Sequence, residues 1–268
     1  MSESRPNQEG PQSPTDNARA ATDRSSLYDR IGGTYTAYRQ PDPRLAAQIS
    51  QALGQAKTVA DVGAGTGSYE SPDRQYIPIE PSETMIRQRP QALERAVRGV
   101  AERLPLADNS CDAVQAILTV HHWNDLSAGI AEMRRVSRGP IVILTWDHAV
   151  FARFWMPSEY LPEAAAYDRT LATLDSILPL VSDAKVVPVP VPRDCTDGMF
   201  ACYWRRPEMY LDPGARAAIS GIAMLPNQVV DRMVTRLRAD LRSGEWHDRH
   251  ADLFKLDSYD TGYRLVIA

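Results

Sequence analysis

The sequence is poor in cysteine and has no long apolar run. Its 268 residues include three cysteines, Cys111, Cys195 and Cys202, which are too few and too irregularly spaced for a disulfide framework or a zinc site. No apolar run approaches the roughly 20 residues that span a bilayer, and the amino terminus lacks the charged-then-apolar pattern of a signal peptide. These absences predict a cytoplasmic protein with no metal site and no membrane contact.

An excess of positive charge is also missing. The formal net charge is -4, whereas binding to nucleic-acid phosphates favours a concentrated basic face. With 43% hydrophobic and 24% charged residues, the chain has the composition of a globular protein with a sizeable core. We therefore predict a small-molecule substrate rather than a nucleic acid, handled by a monomer or a homodimer.

Composition and periodicity divide the chain into four parts. Residues 1–26 are rich in Ser, Pro, Asn and Gln and are predicted to form a disordered tail. Residues 27–150 alternate short β-branched runs with helical patterns, which is typical of βαβ units and a parallel sheet. Residues 151–254 are predicted to form a helical cap that includes one core strand near residues 185–191, and residues 255–268 a final core strand.

The most informative motif is Asp61-Val-Gly-Ala-Gly-Thr-Gly67, which follows a β-branched run. Its glycines let the backbone turn tightly and approach a ligand, and an acid at a strand end can face a ligand ammonium or hydroxyl. Glu80 lies 19 residues after Asp61, where a carboxylate can accept hydrogen bonds from two ribose hydroxyls. A dinucleotide-binding motif would have its third glycine at position 68, and this sequence has Ser there. The difference weakens the hypothesis that the motif binds NAD(P), without excluding it.

Further motifs extend the pattern beyond the glycine turn. They are Ile79-Glu-Pro-Ser82 with Met85, Ala101-Glu-Arg-Leu-Pro-Leu106, Ser110-Cys-Asp-Ala113, Thr119-Val-His-His-Trp123 and Glu132-Met-Arg-Arg-Val136. In their order and spacing, roughly from residue 28 to residue 146, the chain resembles the class I S-adenosylmethionine-dependent methyltransferases. It is most similar to the group, called methyltransferase type 11, that includes the ubiquinone/menaquinone C-methyltransferases.

The resemblance implies a fold, a cofactor and a reaction. The expected fold is α/β, with a Rossmann-like, doubly wound and mostly parallel seven-stranded sheet and a helical cap over the cofactor crevice. The implied cofactor is S-adenosyl-L-methionine. The implied reaction is methyl transfer to an O, N or C nucleophile of a small molecule by in-line displacement, in which alignment of the reacting atoms is the main task.

The resemblance also assigns cofactor-binding positions in this sequence. The residues expected to contact the cofactor are Tyr28, Arg39, Asp61, Gly63, Ala64, Gly65, Gly67, Glu80, Pro81, Met85, Ala101, Glu102 and Thr119. The family usually has a carboxylate one residue before Ala101, and this sequence has Val100 there.

Candidates for a general base follow the fourth and fifth predicted strands. His121 and His122 are the first choice, because imidazole titrates near neutral pH, and Asp147 is the second. Two alternatives stay open: an NAD(P)-dependent oxidoreductase, and a non-catalytic protein that binds S-adenosylmethionine.

Overall fold

A seven-stranded sheet forms the centre of the molecule, which the computed structural model describes from residue 37 to residue 268. Its strands are β1 (Thr58–Val62), β2 (Gln75–Glu80), β3 (Val97–Arg98), β4 (Ala113–Ile117), β5 (Ile141–Trp146), β6 (Lys185–Pro188) and β9 (Tyr263–Ile267). Two further strands, β7 (Val191–Pro192) and β8 (Ser258–Tyr259), pair with each other in a separate small sheet.

The strand order in the main sheet is β3-β2-β1-β4-β5-β9-β6. The first five strands are parallel, and β9 runs antiparallel to both β5 and β6. The chain leaves β1 toward β2 on one side and returns with β4 on the other side. This reversal places a crevice at the carboxyl ends of β1 and β4, where open α/β sheets bind their ligands.

Helices cover both faces of the sheet. The α-helices are α1 (Pro43–Leu53), α2 (Glu83–Gln88), α3 (Leu126–Val136), α4 (His148–Phe151), α5 (Pro162–Asp168), α6 (Leu174–Ile177), α7 (Pro213–Ala217), α8 (Ser220–Ala223), α9 (Asn227–Ser243) and α10 (Glu245–Arg249). The 3₁₀ turns are Val120–His122, Leu178–Leu180, Pro207–Leu211 and Ala251–Lys255, and Met156–Tyr160 is a π-helical turn.

Local sequence explains where α1 begins and ends. The Asp42 carboxylate caps the helix by accepting the Arg44 N–H at 2.9 Å, and Pro43 occupies the first helical position. Leu45, Ile49 and Leu53 lie on one face and are buried. Gly54 then takes a positive φ of 60°, which ends the helix.

Alternate residues of the strands enter two separate apolar cores. Val142 and Leu144 of β5 pack on the side of α1 and the cap, whereas Ile141 and Ile143 pack on the side of α3. The cap comprises residues 148–180 and 207–255, and its centre is aromatic. Trp155 lies with its ring centroid 5.1 Å from that of Trp246.

The expected fold class is confirmed, including the mostly parallel seven-stranded sheet. The strand predicted near residues 185–191 is β6, which pairs in the main sheet only as far as Pro188. Within the predicted helical cap, residues 207–243 form four separate elements; Pro213 begins the second, and Pro226 immediately precedes the fourth. The tail predicted for residues 1–26 lies outside the described residues, and the boundaries at 150 and 254 stay predictions.

Candidate functional site

The glycine turn follows β1 and leads into a cavity of about 400 Å³. Gly63 has φ 73°, and the N–H groups of Gly63 and Ala64 donate to the Ile79 carbonyl at 2.8 and 3.1 Å. A Cβ on Gly63 would lie 2.0 Å from Thr119 Oγ1. The turn therefore packs directly against the loop after β4, and only glycine fits at position 63.

Glu80, at the end of β2, holds the turn from the other side. Its two carboxylate oxygens accept the N–H groups of Gly65 and Ser82, each at 2.8 Å, and the residue is 6% exposed. Burial raises the pKa of Glu80, and the two amides partly oppose that effect by stabilising the charged form. Each oxygen keeps a further lone pair for a ligand hydroxyl.

Asp61 lies beneath the turn and is 4% exposed. Burial and the charge of Glu70 raise its pKa, while Gln115 and Arg89 act in the opposite direction. Arg89 donates to Glu70 at 2.7 Å and to the Gly65 carbonyl at 3.2 Å, so one buried guanidinium links the turn to the acid behind it.

The wall opposite the turn is formed by residues 99–102 and by the start of α2. Val100 is 45% exposed and lines the cavity together with Ala101, Pro81 and Met85. Glu102 also lines it, and its carboxylate accepts the N–H groups of Asn124 and Asp125 at 2.6 and 3.1 Å. Glu102 therefore fixes the loop after the histidine pair.

His121 and His122 lie in the 3₁₀ turn after β4, and both line the cavity. Their ring centroids are 3.9 Å apart, and the His121 ring packs edge-on against Trp146 at 4.8 Å. Leu118, just before this turn, has φ 53°, a strained conformation for a branched residue. This positive φ turns the chain toward the cavity, and the next residue, Thr119, lines the cavity wall.

The remaining expected residues take different positions. Asp147 caps α4 by accepting the N–H groups of Ala149 and Val150, and the cavity wall does not include it. Gly67 faces Leu93 instead of the cavity, since a Cβ there would lie 2.5 Å from Leu93 Cδ1. Arg39 does line the cavity, and its Nε donates to Asp197 at 2.6 Å. Tyr28 lies outside the described residues.

The cap, together with Trp146, Met199 and Phe200, closes the far half of the cavity, and none of the residues in this half is among the predicted site residues. We call this half the cap-side chamber; among the described residues, its wall is formed by Trp146, Phe151, Ala164, Tyr167, Asp168, Leu171, Met199, Phe200, Ile219, Ser220, Gly221, Met224 and Tyr263. Most of these side chains are apolar; the polar ones are Asp168, the hydroxyl-bearing Tyr167, Ser220 and Tyr263, and Trp146 through its indole nitrogen. Only the position of the cap behind β5, where ligand crevices lie, signals this chamber from sequence.

The site fits S-adenosylmethionine. Because the glycine turn has no side chains at positions 63 and 65, an adenosyl ligand can approach its backbone closely. The buried Glu80, which has free lone pairs on its carboxylate, lines the same cavity. Among residues 37–268, no group of three or more His, Cys, Asp or Glu side chains is arranged to hold a metal ion. Within the same residues, no helix has the length and apolar character needed to cross a bilayer.

Comparisons with known proteins agree with this geometry. The family model of the methyltransferase domain matches residues 60–142. A solved structure of a candidate methyltransferase from an antibiotic biosynthesis pathway of Anabaena variabilis is 33% identical, with a TM-score of 0.80 over 86% of this chain and 98% of that one.

Two curated relatives match the core of the chain. The demethylmenaquinone methyltransferase of Renibacterium salmoninarum is 33% identical over 40% of this chain and 48% of its own length. An uncharacterized methyltransferase of Mycobacterium tuberculosis is 35% identical over 44% of this chain and 51% of its own length. The chain thus spans about half the length of the curated relatives it matches.

Proposed function

The chain belongs to the class I S-adenosylmethionine-dependent methyltransferases, and we propose that it transfers a methyl group to a small-molecule acceptor. The observation that carries the proposal is that one continuous cavity contains both halves of the site. The glycine turn and Glu80 line one end of this cavity, and the cap-side chamber is the other end. A shared cavity allows donor and acceptor to meet away from bulk water. The pathway named for the Anabaena variabilis relative also supports a small-molecule acceptor.

The proposed roles of the chain's residues follow from their positions. When bound, S-adenosylmethionine supplies a methyl group on a positively charged sulfur. Glu80 is proposed to bind the two ribose hydroxyls with its unused lone pairs, and Asp61 to attract the ammonium end through its negative charge. Ala101 and Met85 are proposed to pack against the adenine ring.

Replacing Glu80 with alanine is expected to weaken S-adenosylhomocysteine binding by about tenfold or more, because two hydroxyl contacts to a carboxylate disappear. Calorimetric titration measures the change. Glu83→Ala is a matched control, since that glutamate is exposed at the start of α2 and pairs with Arg87. Equal affinities of the wild type and Glu80→Ala would contradict the ribose assignment.

A proton must leave an acceptor hydroxyl or a protonated amine before it attacks, and His121 or His122 is proposed to accept it. Alanine at the responsible position is expected to lower kcat by about 10²-fold while S-adenosylhomocysteine affinity changes little. His247→Ala serves as control, because His247 lies on α10 in the cap. Unchanged turnover in either variant eliminates that histidine as the base.

Calorimetry with two cofactors tests the proposed function itself. We expect S-adenosylmethionine and S-adenosylhomocysteine to bind and NADH not to bind. Binding of NADH alone would support the oxidoreductase alternative and contradict the proposal. Methyl transfer from labelled S-adenosylmethionine to a member of a broad small-molecule panel is the second expected result, and binding without any transfer would favour the non-catalytic alternative.

A further inference from the structure

A carboxylate lies in the largely apolar wall of the cap-side chamber. Asp168 is the last residue of α5, is 6% exposed and lines the cavity among Phe151, Leu171 and Met224. A buried acid costs free energy unless it is well bonded, so its presence in an apolar wall calls for a physical reason.

Two side chains from β5 and α4 hold Asp168 in place. Trp146 Nε1 donates to one carboxylate oxygen at 2.6 Å, and His148 Nδ1 lies 2.5 Å from the other. Burial raises the pKa of Asp168, and the contacts with His148 and Trp146 oppose that effect. Because each carboxylate oxygen has two lone pairs, one on each oxygen stays available after these contacts.

The charges around the cavity are mostly negative. Among the described residues that line it, Asp61, Glu80, Glu102 and Asp168 are acids, and Arg39 carries the guanidinium that pairs with Asp197. In a space of low dielectric, this balance repels an anionic acceptor and attracts a cation or a neutral hydrogen-bond donor.

We propose that Asp168 is the anchor for the acceptor, and that the acceptor is a largely apolar molecule carrying a hydroxyl or amino group. The apolar wall takes the skeleton, and the carboxylate accepts a hydrogen bond from the polar group. Trp146 and His148 fix the direction of the carboxylate. This inference rests on the proposed function, because it identifies the class of molecule that the same cavity takes.

The test uses three small probes with one skeleton: 2-phenylethylamine, 2-phenylethanol and phenylacetate. Each is titrated into protein saturated with S-adenosylhomocysteine, and binding is followed by saturation-transfer NMR. The amine and the alcohol are expected to bind, with phenylacetate at least about tenfold weaker. Asp168→Asn is expected to remove most of that preference for the amine over the carboxylate. Asparagine keeps the size of the side chain, and it can still accept from Trp146.

Two controls make the result specific. Glu163→Gln neutralises an acid on the same helix that pairs with Arg232 outside the cavity, and it should leave the ranking of the probes unchanged. S-adenosylhomocysteine should bind wild type and Asp168→Asn with similar affinity, which shows that the variant is folded.

Three results would contradict the proposal that Asp168 anchors the acceptor. They are equal binding of phenylacetate and the amine, no binding of any probe, and an unchanged ranking of the probes in Asp168→Asn. If S-adenosylhomocysteine binds normally in those cases, the proposed function stands and only the anchor fails. Failure of S-adenosylhomocysteine to bind wild type would instead overturn the proposed function.

Discussion

Replacing Gly63 with alanine is expected to abolish measurable S-adenosylhomocysteine binding and to destabilise the fold by about 2 to 5 kcal/mol. The new Cβ would lie 2.0 Å from Thr119 Oγ1 and 2.8 Å from Thr119 Cβ, and the backbone φ of 73° is unfavourable for alanine. Thr119 cannot retreat freely, because the preceding Leu118 N–H is bonded to the Leu144 carbonyl at 2.9 Å. The glycine turn must therefore move out of position.

Two variants separate the collision from the backbone strain. Gly54→Ala imposes a similar positive φ at a position with nothing within 4 Å, so we expect it to lower the free energy of unfolding by about 1 to 2 kcal/mol only. Thr119→Ala combined with Gly63→Ala removes the closest colliding atom and should recover part of the stability. Denaturant unfolding and calorimetric titration measure both effects. If Gly63→Ala binds S-adenosylhomocysteine as wild type does, the turn does not form the cofactor site.

The cofactor half of the site is largely predictable from sequence because its chemistry is local. Gly63, Gly65 and Glu80 follow two neighbouring strands, and parallel strands bring their carboxyl ends to one edge of the sheet. The structure places all three on the wall of one cavity. Their roles toward the cofactor stay predictions until binding is measured.

The acceptor half could not be predicted in the same way. Asp168 lies 22 residues after Trp146 and 20 after His148, and nothing in the local pattern links them. The rule that loops after strands face the crevice favours Asp147, but its carboxylate is used to cap α4. The neighbouring His148 reaches Asp168 instead. Such contacts depend on how the cap packs over β5, and no short sequence pattern indicates that packing.

Replacing Arg89 with leucine is expected to lower the free energy of unfolding by about 3 to 5 kcal/mol. The side chains of Arg89 and Glu70 are 3% and 2% exposed, and they form an ion pair at 2.7 Å. Without the guanidinium, Glu70 stays buried close to Asp61 with no compensating charge. Denaturant unfolding at neutral pH measures the loss, and weaker S-adenosylhomocysteine binding should accompany it, because Arg89 also bonds the Gly65 carbonyl.

Arg87→Leu is a matched control in the last turn of α2, the helix that Arg89 caps. Arg87 and its partner Glu83 are 72% and 56% exposed, and such pairs contribute less than about 1 kcal/mol. Arg89→Leu combined with Glu70→Gln should recover part of the loss, because the unpaired charge is gone.

The effect of pH provides an independent check on Arg89→Leu. Arg89 opposes the burial and the Glu70 charge that raise the pKa of Asp61, so its removal raises that pKa further. An acid with a raised folded-state pKa destabilises the fold as the pH rises through that value, and protonation relieves the cost. The deficit of Arg89→Leu should therefore shrink as the pH is lowered from neutral. A deficit that is independent of pH and no larger than that of Arg87→Leu would show that the buried pair does not stabilise the turn.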